Sequence, residues 1–360
     1  LQLVARVPVG MEPVAVAVRS PNEVWVVNHL SDSVSVVSLD GTPRVTRTLL
    51  VGDEPRDIVF AGAPSRAFIT TAHRGQHRSD ASIASVPGAG DPKFTTPGIG
   101  RADVWVFDPA NLGAAFGGLP LKIMSFFADT PRALAVSPDN KTVYVAAFKS
   151  GNQTATVDEN IVCDGFSAAK TCTVKGVTYP GGLLGPKTNA AGKQAPETGI
   201  IVKYNNATKK WEDTAGRDWS KALPFTLPDR DVFAFDANAL TQKAAFSGVG
   251  NTLFNMVTNP VTGALYVTNF EANNMAKFEG PGKFAGETLQ GKLALMRVAV
   301  IANGNVANRH LNKHIDYNKL VTDPAFDKST KEYSLALPLE MAVTRDGKTL
   351  YVTAYGSNKI

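Results

Sequence analysis

The sequence lacks the signals that assign a chain to several common classes. No apolar run approaches the about 18 residues of a membrane-spanning helix, and the chain begins at Leu1 without an initiating Met or a signal-like segment. The 37 basic and 32 acidic residues are interspersed, without the concentrated basic stripe that nucleic-acid binding needs. We therefore expect no transmembrane segment, no nucleic-acid partner, and a chain processed or excised from a longer polypeptide.

Motifs of common enzyme classes are also missing. The sequence has no GxSxG elbow, P-loop, HExxH helix or EF-hand loop. Asp and Glu residues cluster nowhere tightly enough to nominate a general acid and a general base. These absences favour a binding role over catalysis for this segment.

Cysteine is scarce, and no CxxC metal motif occurs. The two cysteines, Cys163 and Cys172, lie in one polar, Gly-rich segment. This arrangement favours a local disulfide in an oxidising compartment, although a pair of buried or free thiols is the alternative. We expect a bacterial protein that is extracellular, at the cell surface or periplasmic.

What the sequence does contain is a repeated hairpin, seen most clearly at residues 130–148. Leu134 and Val136 alternate with other residues in a first strand, and Val143 and Val145 alternate in a second. Between them, the Ser-Pro-Asp-Asn sequence at 137–140 is typical of a tight turn. Such a hairpin cannot bury its own apolar face, so it needs neighbours of the same kind.

Copies of this hairpin recur along the chain. The first two begin at Pro13 and Pro55, a spacing in the range of four-stranded propeller blades. The fold class predicted is all-β, a β-propeller with long loop insertions and about four and a half blades in this segment. The predicted units are a lone strand at 1–10, blade 1 at 11–52, blade 2 at 53–129 with an insertion at 73–101, blade 3 at 130–250 with an insertion at 149–230, blade 4 at 251–302, an insertion at 303–336, and the start of blade 5 at 337–360.

The repeats carry a recognisable signature: LYVTN at 265–269, TLYVTA at 349–354, and PRALAVSPDNKTVYVAA between 131 and 147. With these residues the chain resembles the YVTN-type β-propeller repeats of bacterial and archaeal surface and periplasmic proteins. The resemblance implies a propeller, commonly of seven blades, whose first strand often completes the last blade. The strand at 1–10 is the candidate closing strand, and we expect the native polypeptide to continue beyond Ile360.

A second, looser resemblance concerns two insertions. AHRGQHR at 72–78 and RHLNKHIDY at 309–317 look like segments of large bacterial YVTN proteins in which a c-type cytochrome domain follows the propeller. The resemblance implies a cytochrome partner and an electron-transfer setting. The sequence has no CxxCH, so a covalently attached haem would belong to a missing C-terminal domain or to another chain.

Histidine is scarce but patterned. Four of the five histidines form two pairs with i,i+4 spacing, His73 with His77 and His310 with His314. On a helix this spacing points both imidazoles from one face, as a metal site requires. Gly75 weakens the helical interpretation of the first pair, so the second, within NVANRHLNKHIDYNKL, is the better helix candidate. Copper or haem iron is the metal that these side chains would take.

The repeat also predicts where the histidines lie. In the family that the chain resembles, loops between second and third strands open on the same face as the links between blades. His29 and the first pair follow a second strand, and the second pair lies between a fourth strand and the next blade. All five are expected on one face of the disc. Solvation, or hydrogen bonding to backbone, is the alternative to metal ligation.

Basic and aromatic residues in the insertions complete the list of candidates. Five basic residues flank the histidine pairs and could meet an anionic partner, with loop solubility as the alternative: Arg74, Arg78, Arg101, Arg309 and Lys313. Trp211 and Trp219, in the largest insertion, are expected to pin that insertion onto the disc.

Two hypotheses about function follow, from different classes. In the first, the segment is a non-enzymatic propeller that presents a loop-built, histidine-containing face to a protein partner, with a c-type cytochrome domain as one candidate. In the second, His73, His77, His310 and His314 hold copper or another metal in a redox enzyme that resembles the multi-histidine copper propellers. A bound transition metal would distinguish the second from the first.

Overall fold

The computed structural model describes residues 2–163, 171–184, 196–224, 229–275, 292–317, 330 and 332–360. Most of the regular structure there is β-strand, and the helical segments with described bounds are short. They are α1 (Glu159–Val162) and the 3-10 turns Gln76–Ser79, Ala81–Ile83, Ser220–Ala222 and Tyr355–Ser357. Within the described ranges, no helix has the length and apolar character needed to cross a bilayer.

Blades 1 and 2 are four-stranded antiparallel sheets whose strands are neighbours in the order of the sequence. Their strands are β1 (Pro13–Ser20), β2 (Glu23–Asn28), β3 (Ser33–Ser38), β4 (Arg44–Leu50), β5 (Ile58–Ala61), β6 (Arg66–Ala72), β7 (Ala102–Phe107) and β8 (Lys122–Phe126). The insertion 73–101 therefore lies between the second and third strands of blade 2.

Blade 3 is interrupted by the largest insertion, which forms small sheets of its own. It begins with β9 (Pro131–Val136) and β10 (Thr142–Ala147). The insertion then contributes β11 (Thr154–Val157), β12 (Cys172–Val174), β13 (Val177–Tyr179), β14 (Ile200–Asn205) and β15 (Lys210–Glu212), paired as a three-stranded sheet and a hairpin. Blade 3 is completed by β16 (Val232–Asp236), which pairs with β10, and β17 (Thr241–Phe246).

Blade 4 differs from the predicted boundaries. Its strands are β18 (Thr252–Thr258), β19 (Leu265–Ala272), β20 (Ala294–Ala302) and β21 (Asn305–His310), followed by the two-stranded sheet β22 (Pro338–Val343) and β23 (Leu350–Ala354). The predicted end at residue 302 is wrong, because the insertion expected from 303 onward begins with the fourth strand. Asn303 and Gly304 both have positive φ angles, 51° and 79°, and an Asn-Gly pair of this kind makes a tight hairpin turn. A third strand expected at 275–278 lies mostly outside the described residues.

The first strands of successive blades are neighbours around a common axis. β1 lies beside β5, β5 beside β9, β9 beside β18, and β18 beside β22. Four-stranded antiparallel sheets arranged in this way form a β-propeller, so the predicted fold class is confirmed. Residues 2–12 precede β1 and form no strand. A role of residues 1–10 in closing the last blade stays a prediction.

Apolar side chains from adjacent blades fill the spaces between them. Trp25 of blade 1 is buried in one cluster with Trp105 of blade 2. Phe126 of blade 2 packs on Phe233 of blade 3, with 4.7 Å between ring centroids. A third cluster joins blades 3 and 4. Because each fully buried large side chain contributes about 1.5–3 kcal/mol, the stacking of blades supplies the core that a single hairpin lacks.

The largest insertion has a separate core. Trp211 and Trp219 are buried with Val202 and other residues of the insertion, so they stabilise the insertion itself, not its contact with the disc as we expected from the sequence. Cys163 and Cys172 form a disulfide in this insertion, with 6.1 Å between their Cα atoms. The insertion is thus a small folded unit carried by blade 3.

Candidate binding face

Two kinds of segment leave each blade at the same end. In an antiparallel sheet, the turn from the second to the third strand and the link from the fourth strand to the next blade share this end, which we call the loop face. Hydrogen bonds join its segments. The Val51 amide donates to the Asp32 carbonyl at 3.0 Å, and the Asn152 side chain of blade 3 donates to the Ala272 carbonyl of blade 4 at 3.2 Å. These bonds connect neighbouring segments of the loop face.

All five histidines lie at the loop face. His29 follows β2, His73 and His77 follow β6, His310 ends β21, and His314 lies in the link after it. Their surroundings differ widely, however, and these surroundings decide what each imidazole can do.

His73 is part of a buried ion cluster. Its Nδ1 lies 2.7 Å from Oδ1 of Asp103, and its Nε2 lies 3.0 Å from the Pro92 carbonyl. Arg78 donates to the other carboxylate oxygen of Asp103 at 2.7 Å, and Ser125 donates to Oδ1 at 2.7 Å. Both ring nitrogens of His73 are therefore engaged in contacts within the protein. A metal could bind either nitrogen only by displacing one of these contacts.

His77 has a different environment. Its ring stacks on that of Trp105, with 5.9 Å between centroids and 23° between planes. Its Nε2 is buried without a hydrogen-bond partner among the described residues. Burial lowers the pKa of His77, and the nearby Asp80 opposes this shift. With Asp32 and Asp53, His77 lines a groove of about 680 Å³ between blades 1 and 2.

The second histidine pair does not lie on a helix. The helix predicted within NVANRHLNKHIDYNKL is wrong, because residues 305–310 form β21, in which His310 lies opposite Arg297 of β20. His314 follows in a turn, exposed and 6.5 Å from the ring of Tyr333. Burial and then the charge of Lys292 lower the pKa of His310. A strand followed by a turn removes the helical i,i+4 geometry on which the metal hypothesis depended.

No metal centre emerges from these positions. Among the residues described, no group of three or more His, Cys, Asp or Glu side chains is placed to hold a metal ion. His29 bonds through Nδ1 to the Pro55 carbonyl at 3.1 Å, and His73 is occupied on both nitrogens. The proposed copper or haem-iron ligands therefore do not form one set in this part of the chain.

The five predicted basic residues also separate into different environments. Arg78 is buried in the Asp103 cluster, whereas Arg74 forms ion pairs with Asp53 at 3.2 Å and Glu54 at 2.9 Å. Arg309 and Lys313 are exposed on blade 4 and in the link after it. Arg101 lines a cavity.

This cavity lies between blades 2 and 3, has a volume of about 240 Å³, and is called the outer cleft. Arg101, Lys149 and Arg230 line it, and Asp129 is the acidic residue among them. The Arg101 guanidinium lies 5.4 Å from the centroid of the Phe94 ring, and its Nη1 is buried without an acceptor among the described residues. Among the described residues, the side chains of Lys149 and Arg230 have no ion pair and no hydrogen bond. The outer cleft therefore has an excess of positive charge.

A second cavity lies beside the outer cleft, at the ends of the first strands β5 and β9. This inner cleft, of about 220 Å³, is lined by Arg56 and Arg132 together with His29, Glu54 and Phe148. Phe148 lies between Ala147 and Lys149, which line the outer cleft, so the two cavities share one wall. Together they form a cationic depression on the loop face, which sequence reasoning missed apart from Arg101.

A pair of carboxyl groups adjoins the outer cleft. Asp229 and Asp231 flank Arg230, and burial raises the pKa of both carboxyl groups. Asp231 is buried and also accepts from the Ser150 hydroxyl and, at 2.6 Å, from the Val249 amide. Burial, followed by repulsion from Asp229, raises the pKa of Asp231 to about 7. Asp231, at the end of the insertion, thus bonds both to Ser150 at its start and to Val249 in the link before blade 4.

Comparison with known proteins supports the fold. The chain is similar to hydrazine synthase from Kuenenia stuttgartiensis, with a TM-score of 0.50 and 17% identity over 96% of this chain and 62% of the other. It also aligns with a gluconolactonase from Xanthomonas campestris, with a TM-score of 0.33 and 12% identity over 92% and 65%. Both have β-propeller-type folds. The chain spans less than two thirds of each of these solved chains.

No protein-family model matches the chain, and no curated protein matches it either. The likeness to YVTN repeats therefore stays a resemblance. At 17% identity, the likeness to the hydrazine synthase structure supports the propeller fold alone.

Proposed function

We propose that this segment is a non-enzymatic propeller that binds an acidic protein partner on its loop face, through the outer cleft. One observation carries the proposal: Arg101, Lys149 and Arg230 meet at one cavity with a single acid, Asp129, among its lining residues. Unpaired surface cations of this kind attract and orient an oppositely charged partner.

The rest of the loop face fits this role. Insertions 73–101 and 149–230 line the outer cleft on two sides. The Asp103 contacts anchor the first insertion, and a buried core of its own stabilises the second. Rigid loops cost less ordering on binding than loose ones do. The disulfide favours an extracytoplasmic location. A c-type cytochrome domain with an acidic surface is the partner that the sequence resemblance suggests.

The proposal is tested with a hexaglutamate peptide as the probe and a pair of charge-reversed variants. Lys149→Glu combined with Arg230→Glu should weaken peptide binding at least tenfold at low salt, because two attractions become repulsions. The matched control is Arg345→Glu with Lys348→Glu, since both residues are exposed in the turn between β22 and β23, on the opposite face. Equal loss of binding in both double variants would contradict the proposal.

Salt dependence provides an independent check. Exposed charges more than about 8–10 Å apart are screened at physiological ionic strength. Peptide binding to the wild type should therefore weaken steadily as salt is raised, and binding that is insensitive to salt would exclude the charged outer cleft as its basis.

A further inference from the structure

The inner cleft is built by a repeated dipeptide. Pro55-Arg56 precedes β5, and Pro131-Arg132 opens β9. Because β5 and β9 are neighbouring first strands, the repeat places both arginines in the lining of one cavity at the loop-face end of these strands. Burial, and next the charge of Arg56, lower the pKa of Arg132, so the two guanidinium groups repel each other.

Arg132 is held in a fixed position. Its guanidinium lies 4.6 Å from the centroid of the Phe148 ring and 6.0 Å from that of Phe254. Its Nε donates to the Phe254 carbonyl at 3.2 Å. The terminal nitrogens of Arg132, and the whole guanidinium of Arg56, have no hydrogen-bond acceptor within the described ranges. The planar group is thus oriented with its donors unused, the arrangement that recognises carboxylate or phosphate oxygens.

The acidic residues nearby are already engaged. Glu54 pairs with Arg74 at 2.9 Å, and Glu340 accepts from the Asn255 side chain. Asp57 accepts from the Leu134 amide at 2.7 Å and from the Ile58 amide at 2.8 Å. Loss of hydration raises the pKa of Asp57 to about 7, which reduces its negative charge at neutral pH. These acids therefore compensate the two arginines only in part.

We propose that the inner cleft is a binding site for a small oxyanion, a carboxylate or a phosphate group, held between Arg56 and Arg132. The volume of about 220 Å³ is far more than a single water needs and below the range of drug-sized ligand pockets. The inference goes beyond the proposed function, because this site needs no protein partner. It also defines the ligand by chemistry: a small anion with planar or tetrahedral oxygens.

The test is isothermal titration of the whole chain with inorganic phosphate and, separately, with succinate. The wild type should bind at least one probe with saturation at millimolar concentration or below. Arg56→Gln should weaken that binding at least tenfold and leave the melting temperature unchanged, because the Arg56 side chain has no partner in the described structure. Arg132→Gln should weaken it as much, with some loss of stability from the lost stacking. Arg345→Gln, on the opposite face, should bind as the wild type does.

Two results would overturn the inference: no saturable binding of either probe, or unchanged binding by a folded Arg56→Gln variant. Competition identifies the natural source of the oxyanion. If hexaglutamate displaces the bound probe, an acidic side chain of a partner occupies the inner cleft; if both bind together, a free small molecule does. Either result supports the site. Lys149→Glu with Arg230→Glu should reduce peptide binding much more than probe binding, so failure of the proposed function can be distinguished from failure of this site.

Discussion

The Asp103 cluster and the two clefts lie on the same face and contain the same kinds of residue. They differ in whether the charged side chains have bonding partners within the protein. Around Asp103, the side chains of His73 and Arg78 bond to a buried carboxylate. In the clefts, Lys149 and Arg132 keep donors that meet no acceptor in the described chain. The comparison shows that residue type alone does not mark a binding site. What matters is whether the fold has already satisfied the charge.

The largest effect should come from breaking the satisfied cluster. Asp103→Asn removes the negative charge that pairs with the buried Arg78 guanidinium, and loss of one partner of a buried ion pair costs about 3–5 kcal/mol. Urea unfolding measures the change. Asp40→Asn is the control, since Asp40 is exposed and its carboxylate makes no bond in the described structure, and the expected change there is within about 0.5 kcal/mol. A fully stable Asp103→Asn variant would show that the cluster is not structural.

The next effect concerns pH and the carboxyl pair next to the outer cleft. The pKa of Asp231 is raised to about 7 in the folded protein, above its ordinary value of 3.8. The folded state therefore binds more protons than the unfolded state between these values, and the stabilisation present below pH about 4 is lost as pH rises towards 7. Asparagine at this position mimics the protonated acid. Asp231→Asn should therefore reduce the change in the free energy of unfolding between pH 4 and pH 7 by a few kcal/mol.

Unfolding free energies of wild type and Asp231→Asn, measured between pH 4 and 8, provide the data. Asp57 titrates in the same range, since its pKa is also raised to about 7 by burial, so the variant should keep part of the slope. Identical slopes in the two proteins would mean that Asp231 is ionised throughout.

A smaller effect should follow when an arginine of the inner cleft is replaced by lysine, which has the same charge but no planar guanidinium group. Arg132→Lys keeps the positive charge but loses the planar group that lies over Phe148. We expect about tenfold weaker binding of phosphate, because lysine offers no paired donors. Titration at fixed ionic strength checks this, with Lys348→Arg as a control that should change nothing. Unchanged affinity in Arg132→Lys would mean that charge alone holds the anion.

The smallest effect is expected at His77, in contrast to His73. His77→Phe keeps the stacking on Trp105 and removes a nitrogen that has no partner in the described structure, so stability should change by less than about 1 kcal/mol. His73→Phe removes the buried ring nitrogens that contact Asp103 and the Pro92 carbonyl, and should cost more than about 2 kcal/mol. Thermal unfolding of the two variants side by side makes the comparison. Equal losses of stability in the two variants would contradict the distinction between a bonded His73 and an unbonded His77.

The blades could be predicted from the sequence because their information is local. Alternating apolar residues and the Ser-Pro-Asp-Asn turn near residue 138 specify a hairpin by themselves. The same rule should have found the fourth strand of blade 4, since Asn303-Gly304 between apolar residues is a strong hairpin signal. The regular i,i+4 spacing of His310 and His314 drew attention to a helix instead. Spacing between two residues is weaker evidence than a turn with a defined backbone conformation.

The clefts could be predicted only in part, because they depend on contacts between distant segments. Arg101 was a candidate, but Lys149 and Arg230 lie at opposite ends of an insertion and meet only in the fold. The Pro-Arg dipeptides at 55–56 and 131–132 are a signal in the sequence, since equivalent positions in a propeller lie side by side. The different environments of His73 and His77 could not be predicted from the sequence, because they depend on where Asp103 lies in the fold.

Arginine labelling tests the central contrast most directly. The protein is treated with a dicarbonyl reagent that modifies accessible arginines, with and without phosphate, and each site is quantified by mass spectrometry. We expect Arg56 and Arg132 to be modified and protected by phosphate, Arg345 to be modified without protection, and Arg78, which is only 4% exposed, to remain unmodified. Modification of Arg78 at the rate of Arg56, or the same rate at Arg56 with and without phosphate, would contradict the account.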